Sequence, residues 1–98
     1  MELHLKKGDK LLGVLRSYSI DFPWLLCKFE PTDAFVEIEP LFQEELKILN
    51  TDNFNDEAWE SVYSQIEAFG VRLVNINKVE DISDFMLHIQ GDEAWCRY

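Results

Sequence analysis

The sequence predicts an α+β domain: a mainly antiparallel sheet in βββ-αα-βββ order, with two helices packed on one of its faces. Apolar and polar residues alternate at strand spacing in the first third of the chain and again in the last third. Between these parts, apolar residues recur at helical spacing in two stretches. The same pattern also fits two small sheets that form a half-open barrel around the helices, and that alternative stays open.

The length of the chain predicts a single domain over residues 1–98. Hydrophobic residues make up 47% of the sequence and aromatic residues 13%, which is enough to build a core. This composition excludes a disordered acidic tail.

Three strands are predicted in the first third. Alternation over residues 3–7 ends at Gly8-Asp9, a two-residue loop typical of a hairpin, and a second strand follows over residues 11–18. Asp21-Phe22-Pro23 is the next break, because proline disfavours helical geometry at the residue before it. A third strand is expected from Trp24 to Phe29.

The first predicted helix begins at Pro40, whose missing N–H has no helical partner to lose in the first turn. The residues that follow form an apolar stripe at helical spacing: Leu41, Phe42, Leu46, Ile48 and Leu49.

The second predicted helix has a well-marked start. Asn55 fits the N-cap position, Asp56 and Glu57 suit the first turn, and Phe54 can pack on Trp59. Its apolar positions follow helical spacing up to the C-terminal Gly70: Trp59, Val62, Tyr63, Ile66 and Phe69.

The last third returns to strands, over residues 71–76, 83–90 and 93–98, with a turn region at 78–81. Gly91-Asp92 predicts a two-residue hairpin loop between the last two strands. Three pairs are then expected across the ladder: Gln90 with Glu93, His88 with Trp95, and Met86 with Arg97.

This register sorts the hairpin side chains onto two unlike faces. One face is nearly all apolar and is expected to pack on the helices: Phe85, Leu87, Ile89, Ala94, Cys96 and Tyr98. The opposite face is a candidate interaction surface: Met86, His88, Gln90, Glu93, Trp95 and Arg97. It is either the solvent side of a one-sided sheet or a contact with a partner or a second subunit.

Phe22-Pro23-Trp24 is a candidate aromatic corner, because two aromatic residues flank a proline. One interpretation is a bend that plugs one end of the core, since aromatic side chains dominate core burial. The other is an exposed corner, with Phe22 and Trp24 lining a groove.

The formal net charge of −10 narrows the classes of partner. It argues against nucleic acid and against membrane lipid, both of which are bound through clustered Lys and Arg. Residues 30–70 carry eleven acidic side chains and one basic side chain. We therefore expect a basic protein partner to meet the acidic helical side, and Trp95 with Arg97 to belong to a separate, nearly uncharged surface.

No sequence pattern typical of catalysis is present. The chain lacks a G-x-S-x-G elbow and a glycine-rich phosphate loop. Cys96 is expected on the face opposite His88, and His4 reaches His88 only if the terminal strands pair. The sequence therefore indicates no cofactor and leans away from an enzyme.

The paired carboxylates are interpreted as surface groups. Glu44-Glu45 and Asp56-Glu57 are adjacent on helices, so their side chains point in different directions, as expected for solvated surface and helix-start electrostatics. Residues 51–57 lack the glycine and the terminal glutamate of a calcium loop, so a metal is not expected there.

The start of the chain predicts the compartment. Residues 1–8 contain no apolar segment typical of a secretory signal, and no apolar run approaches the length of a membrane span. Cys27 and Cys96 are in no metal-ligand spacing. We expect a cytoplasmic protein in which both cysteines are reduced, buried thiols.

Four short segments of the sequence form a recognisable set. Three are in the first half: Asp21-Phe22-Pro23-Trp24, Phe29-Glu30-Pro31-Thr32 and Pro40-Leu41-Phe42. The fourth is the end of the given sequence, Leu87-His88-Ile89-Gln90-Gly91-Asp92-Glu93-Ala94-Trp95-Cys96-Arg97-Tyr98. These residues resemble a family of small uncharacterised bacterial proteins. The resemblance implies a bacterial, cytoplasmic protein, and it carries over no activity, cofactor or residue role.

The sequence supports three hypotheses about function. The first is a non-catalytic protein–protein interaction or regulatory module, for instance an inhibitor or an immunity protein. The alternative is a small ligand-binding domain or enzyme using the sheet face around His88, Trp95 and Arg97, which requires these side chains to converge on a concave pocket. The third, compatible with the first, is a homodimer contact through the same face.

Overall fold

The computed structural model describes residues 1–51, 55–82 and 84–98. Its strands are β1 (Glu2–Lys7), β2 (Lys10–Asp21), β3 (Trp24–Pro31), β4 (Val71–Asn75), β5 (Glu80–Ile82), β6 (Met86–Gln90) and β7 (Glu93–Arg97). A short 3-10 helix (Asp33–Glu37) precedes two α-helices, α1 (Glu39–Leu49) and α2 (Asp56–Phe69).

The described strands all pair antiparallel in one sheet of seven, in the order β5-β4-β1-β2-β3-β7-β6. The predicted α+β class and the order of strands, helices and strands are confirmed. The described strands form a single sheet, so the half-open barrel of two small sheets is not the arrangement adopted.

Residues 78–79 form a turn as predicted, but Glu80 and Asp81 belong to the edge strand β5, so four described strands follow the helices. The Asn75 side chain explains the reversal, because its Oδ1 accepts hydrogen bonds from the N–H groups of Asn77 and Lys78 at 3.0 and 3.3 Å. This local turn returns the chain onto β4, where Glu80 pairs with Asn75 and Ile82 with Leu73.

The two predicted tight hairpins form where the glycines stand. Gly8-Asp9 joins β1 to β2, and Gly91-Asp92 joins β6 to β7. Both glycines adopt positive φ, 59° and 62°, a region that residues with a Cβ rarely enter. The predicted pairing of the last hairpin is confirmed, with His88 opposite Trp95.

The predicted ends of α2 are confirmed. Asn55 Oδ1 accepts a hydrogen bond from Ala58 N–H at 3.2 Å, and Gly70 closes the helix in the left-handed conformation at φ 89°. The expected contact of Phe54 with Trp59 lies outside the described residues.

The core lies between the helices and one face of the sheet. Full burial of each large apolar side chain contributes about 1.5–3 kcal/mol. The fully or almost fully buried members come from both layers: Leu3, Leu5, Leu15, Phe29, Phe42, Ile66, Leu73 and Leu87. Cys27 and Cys96 are free and buried on the neighbouring strands β3 and β7, as predicted.

Helix α1 lies against the edge strand β6, and α2 packs on α1. An uncovered edge strand presents unpaired backbone groups, so the helix protects this edge of the sheet. The placement also brings the apolar stripe of α1 to the rim of the outer sheet face. Among the described residues, no helix combines the length and the hydrophobicity that crossing a bilayer requires.

Tyr63 ties α2 to the start of β6. Its hydroxyl accepts a hydrogen bond from Leu87 N–H at 3.0 Å and donates to the Phe85 carbonyl at 3.4 Å. Burial is the main cause that raises the pKa of Tyr63 to about 12, because the phenolate is disfavoured away from water.

The raised pKa of Tyr63 predicts a loss of stability in alkaline solution. The unfolded chain releases the phenol proton of Tyr63 near pH 10, and the folded chain releases it only near pH 12. The contribution of Tyr63 to folding stability is therefore present below pH 10 and is lost as the pH rises from 10 to 12. We expect a loss of about 1–2 kcal/mol after allowing for partial exposure. Urea unfolding from pH 9 to 12 should show a smaller loss for Tyr63→Phe, and parallel curves for the two proteins would contradict the assignment.

Candidate functional site

A buried carboxylate stands in the apolar stripe of α1. Glu45 is 0% exposed, three residues after Phe42 and four before Leu49. Its Oε1 lies 2.8 Å from His88 Nδ1, and its Oε2 accepts a hydrogen bond from Trp59 Nε1–H at 2.5 Å. Both carboxylate oxygens therefore have partners, which is what burial of a charged group requires.

The partner of Glu45 is also buried: His88, in β6, is 3% exposed. Its ring contacts two indoles, with centroid distances of 5.3 Å to Trp24 and 5.4 Å to Trp95. A carboxylate that is ionised can only accept, so an ionised Glu45 places a proton of the imidazole on Nδ1. In the neutral ring, Nε2 then presents a lone pair.

The Nε2 atom of His88 has no hydrogen-bond partner among the described residues. Within this part of the chain, every fully buried side-chain nitrogen or oxygen has a partner. His88 is one of the residues that line an open space on the protein surface.

That space is an open groove of about 390 Å³ on the outer face of the sheet, which we call the tryptophan groove. Strands β3, β7 and β6 supply most of its lining, and the last residue of α1 closes one side. Its lining residues are Asp21, Trp24, Leu26, Leu49, His88 and Trp95.

The pairing of β3 with β7 assembles the groove. Leu26 pairs with Trp95, and Trp95 pairs with His88, so the three side chains form one row across neighbouring strands. Arg97 lies beside this row, with its guanidinium carbon 5.5 Å from the centroid of the Trp24 ring. Such a contact is a cation–π interaction worth about 0.5–1 kcal/mol at an exposed site.

The remainder of the outer face is a solvated network of charges. Glu93 forms an ion pair with Lys28 and accepts a hydrogen bond from the Tyr18 hydroxyl at 2.9 Å. These two contacts hold the pKa of Glu93 below its usual range. Arg16 pairs with Glu2 and Glu30 in the same way. Exposed pairs of this kind contribute little to stability.

The structure divides the predicted interaction surface. Gln90 and Arg97 are exposed, and Met86, Glu93 and Trp95 are partly buried. His88 does not lie on the surface, so the expectation of an open solvent face is wrong at this position. The reason is the position of α1, whose Glu45 and Leu49 reach the outer face around the sheet edge.

The predicted aromatic corner does not plug the core. Phe22 is 91% exposed, while Trp24 is half-buried and lines the tryptophan groove. The corner and the hairpin face, predicted as two separate candidates, therefore meet at one site.

The other histidine lies elsewhere. His4 is in β1, and three strands separate β1 from the strand that carries His88. Its Nε2 lies 2.9 Å from Glu2 Oε2. The convergence of His4 and His88, which the enzyme hypothesis could have used, does not occur.

The sequence interpretation missed Glu45. Glu44 is exposed as expected, but Glu45 is buried, so the interpretation of this pair as solvated surface is wrong for its second member. The signal was its place on the apolar stripe, since helical residues three and four apart share a face. Trp59, expected only in the core, is also the donor that binds Glu45 Oε2.

The groove also bears on the expected distribution of charge. Leu49 lines it and Glu45 supports its floor, so the acidic helix α1 borders the tryptophan groove. The expectation of a separate, nearly uncharged surface around Trp95 stays a prediction, although the end of α1 reaches this surface.

The chemistry of the tryptophan groove is that of a binding site. Its described lining contains no Ser, Thr or Cys that His88 could activate as a nucleophile. No three His, Cys, Asp or Glu side chains cluster as metal ligands in the described part of the chain. Residues 52–54 of the segment considered as a calcium loop lie outside that part.

Comparison with known proteins adds no assignment, because no family model, curated protein or solved structure matches this chain. The functional argument therefore depends on the geometry of the tryptophan groove.

Proposed function

We propose that this protein is a non-catalytic module that binds a basic protein partner, with the tryptophan groove as the anchoring site. One observation carries the proposal. His88 is almost fully buried and held by Glu45, and its Nε2 has no partner among the described residues. It lines a groove that also contains two half-exposed tryptophans. Tryptophan dominates the binding energy of many protein interfaces, especially around a central pocket.

The rigidity of the site supports binding. Glu45 is bonded to His88 from α1, and Trp59 of α2 is bonded to Glu45. Three elements therefore hold the imidazole in one orientation, and a preorganised site loses less conformational entropy when a partner binds.

The charge of the helices supports a basic partner. The exposed acidic side chains of α1 and α2 make the helical layer negative: Glu39, Glu44, Asp56, Glu57, Glu60 and Glu67. A surface of one sign accelerates encounter with a partner of the opposite sign, and salt weakens this effect.

A small ligand-binding domain is the second candidate. The Glu45–His88 pair favours it, because a carboxylate that orients an imidazole is also the arrangement of a general base. Against it, the tryptophan groove is open, whereas small-molecule sites enclose most of the ligand surface.

The experiment is affinity capture with immobilised protein and an extract of the organism that encodes it. Wild type, Trp24→Ala and Tyr98→Ala are compared; Tyr98 is an exposed aromatic residue outside the groove. Wild type and Tyr98→Ala should retain the same basic protein at low salt and release it as salt rises. The captured protein should bind Trp24→Ala at least about tenfold more weakly than it binds wild type, once circular dichroism has verified that the variant is folded. Equal affinity for all three proteins, or retention of no basic protein, would overturn the proposal.

A further inference from the structure

We propose that the group anchored in the tryptophan groove is an arginine side chain of the basic partner; this inference rests on the proposed function and specifies its ligand. Three features of the groove support arginine: the hydrogen-bond character of its polar groups, the faces of its indoles and its charge.

Two acceptors line the groove, beside the indole N–H donors of Trp24 and Trp95. In the neutral ring that donates Nδ1–H to Glu45, His88 Nε2 presents a lone pair, and the lining residue Asp21 carries a carboxylate. A ligand that satisfies both must carry at least two donors. The guanidinium group has five N–H donors in a planar arrangement and no acceptor.

The indoles fit a planar cation. Trp24 and Trp95 both lie against the imidazole, and Arg97 already places its guanidinium group against the Trp24 ring. This intramolecular contact shows that the indole accepts a guanidinium. Arginine stacks on aromatic faces and is more weakly hydrated than lysine, so it is the better of the two cations for this site.

The charge around the groove favours a cation over an anion. Asp21 lines it, Glu45 lies behind its floor, and the whole chain carries a net charge of −10. The cation that the structure places against a lining ring is Arg97, so a bound guanidinium meets one like charge. The charge of Arg97 can therefore be used to test whether the ligand is a cation or an anion. Removing it should strengthen binding of a cation and weaken binding of an anion.

The probe is the peptide acetyl-Gly-Arg-Gly-amide, with its citrulline counterpart as a neutral control of nearly the same shape. Binding is followed by NMR through the indole N–H signals of Trp24 and Trp95, which line the groove. We expect the arginine peptide to shift the two groove signals and the citrulline peptide to bind at least about fivefold more weakly.

Matched variants locate the charge effects. Asp21→Asn should lower the affinity for the arginine peptide by at least about threefold. Asp9→Asn removes the same charge next to the other end of β2 and should change that affinity by less than about twofold. Arg97→Gln should leave the affinity unchanged or increase it.

The outcomes separate this inference from the proposed function. Equal binding of citrulline, loss of arginine binding in Arg97→Gln, or no shift of either groove signal at millimolar peptide would overturn the assignment of arginine. A capture experiment that still depends on Trp24 would then leave the binding module standing. A basic protein captured equally by Trp24→Ala would overturn both.

Discussion

Glu45→Ala is expected to lower the free energy of unfolding by about 3 kcal/mol. The substitution leaves two buried donors without an acceptor, since His88 Nδ1 and Trp59 Nε1 both bind this carboxylate. An unsatisfied buried donor costs about 1–3 kcal/mol, and the lost side-chain packing adds to that cost. Urea unfolding at neutral pH measures the difference.

The neighbouring carboxylate supplies the control for this prediction. Glu44 is exposed on the same helix, so Glu44→Ala is expected to change the free energy of unfolding by less than about 0.5 kcal/mol. Glu45→Gln keeps one acceptor oxygen and should fall between the two. Equal stability of the two alanine variants would contradict the role assigned to the buried pair.

Gly13→Ala is expected to destabilise the protein by about 2–3 kcal/mol through crowding in the core. A Cβ at Gly13 would lie 2.5 Å from Cζ of the Phe29 ring, much closer than van der Waals contact. The ring has little room to retreat, because it is buried and packs edge-on against Phe35 with a centroid distance of 4.9 Å.

A double-mutant cycle tests whether the ring is the cause. Phe29→Leu removes the atoms that the new methyl group would meet, so adding Gly13→Ala to that variant should cost at least about 1 kcal/mol less than adding it to wild type. Thermal or urea unfolding of the four proteins measures the coupling. Additive losses would mean that Gly13 is needed for a reason other than the space it leaves for Phe29.

The local features of the fold could be predicted from the sequence because each is encoded within a few residues. Gly91-Asp92 lies between two strictly alternating segments, and that pattern alone sets which residues of β6 and β7 face each other. Asn55 and Gly70 mark the ends of α2 in the same local way. The side chain of Asn75, which reverses the chain into β5, is an equally local signal that the interpretation of residues 78–81 overlooked.

The tryptophan groove could be predicted only in parts, because it depends on contacts between distant segments. Nothing near Trp24 indicates that β3 pairs with β7, so its meeting with Trp95 and His88 could not be read from spacing. The burial of His88 depends on α1 lying at the edge of the sheet rather than over its centre. Only Glu45 carried a usable signal, as a carboxylate on an apolar helical stripe.

The protonation of the two His88 nitrogens tests the central claim most directly, since the groove is proposed to present an acceptor fixed by Glu45. Nitrogen-15 NMR of the imidazole at neutral pH distinguishes a nitrogen that carries a proton from one that carries a lone pair. We expect Nδ1 to carry the proton and Nε2 the lone pair, with the pattern lost in Glu45→Ala. A proton on Nε2 in the wild-type protein would contradict the proposed recognition of a cationic donor.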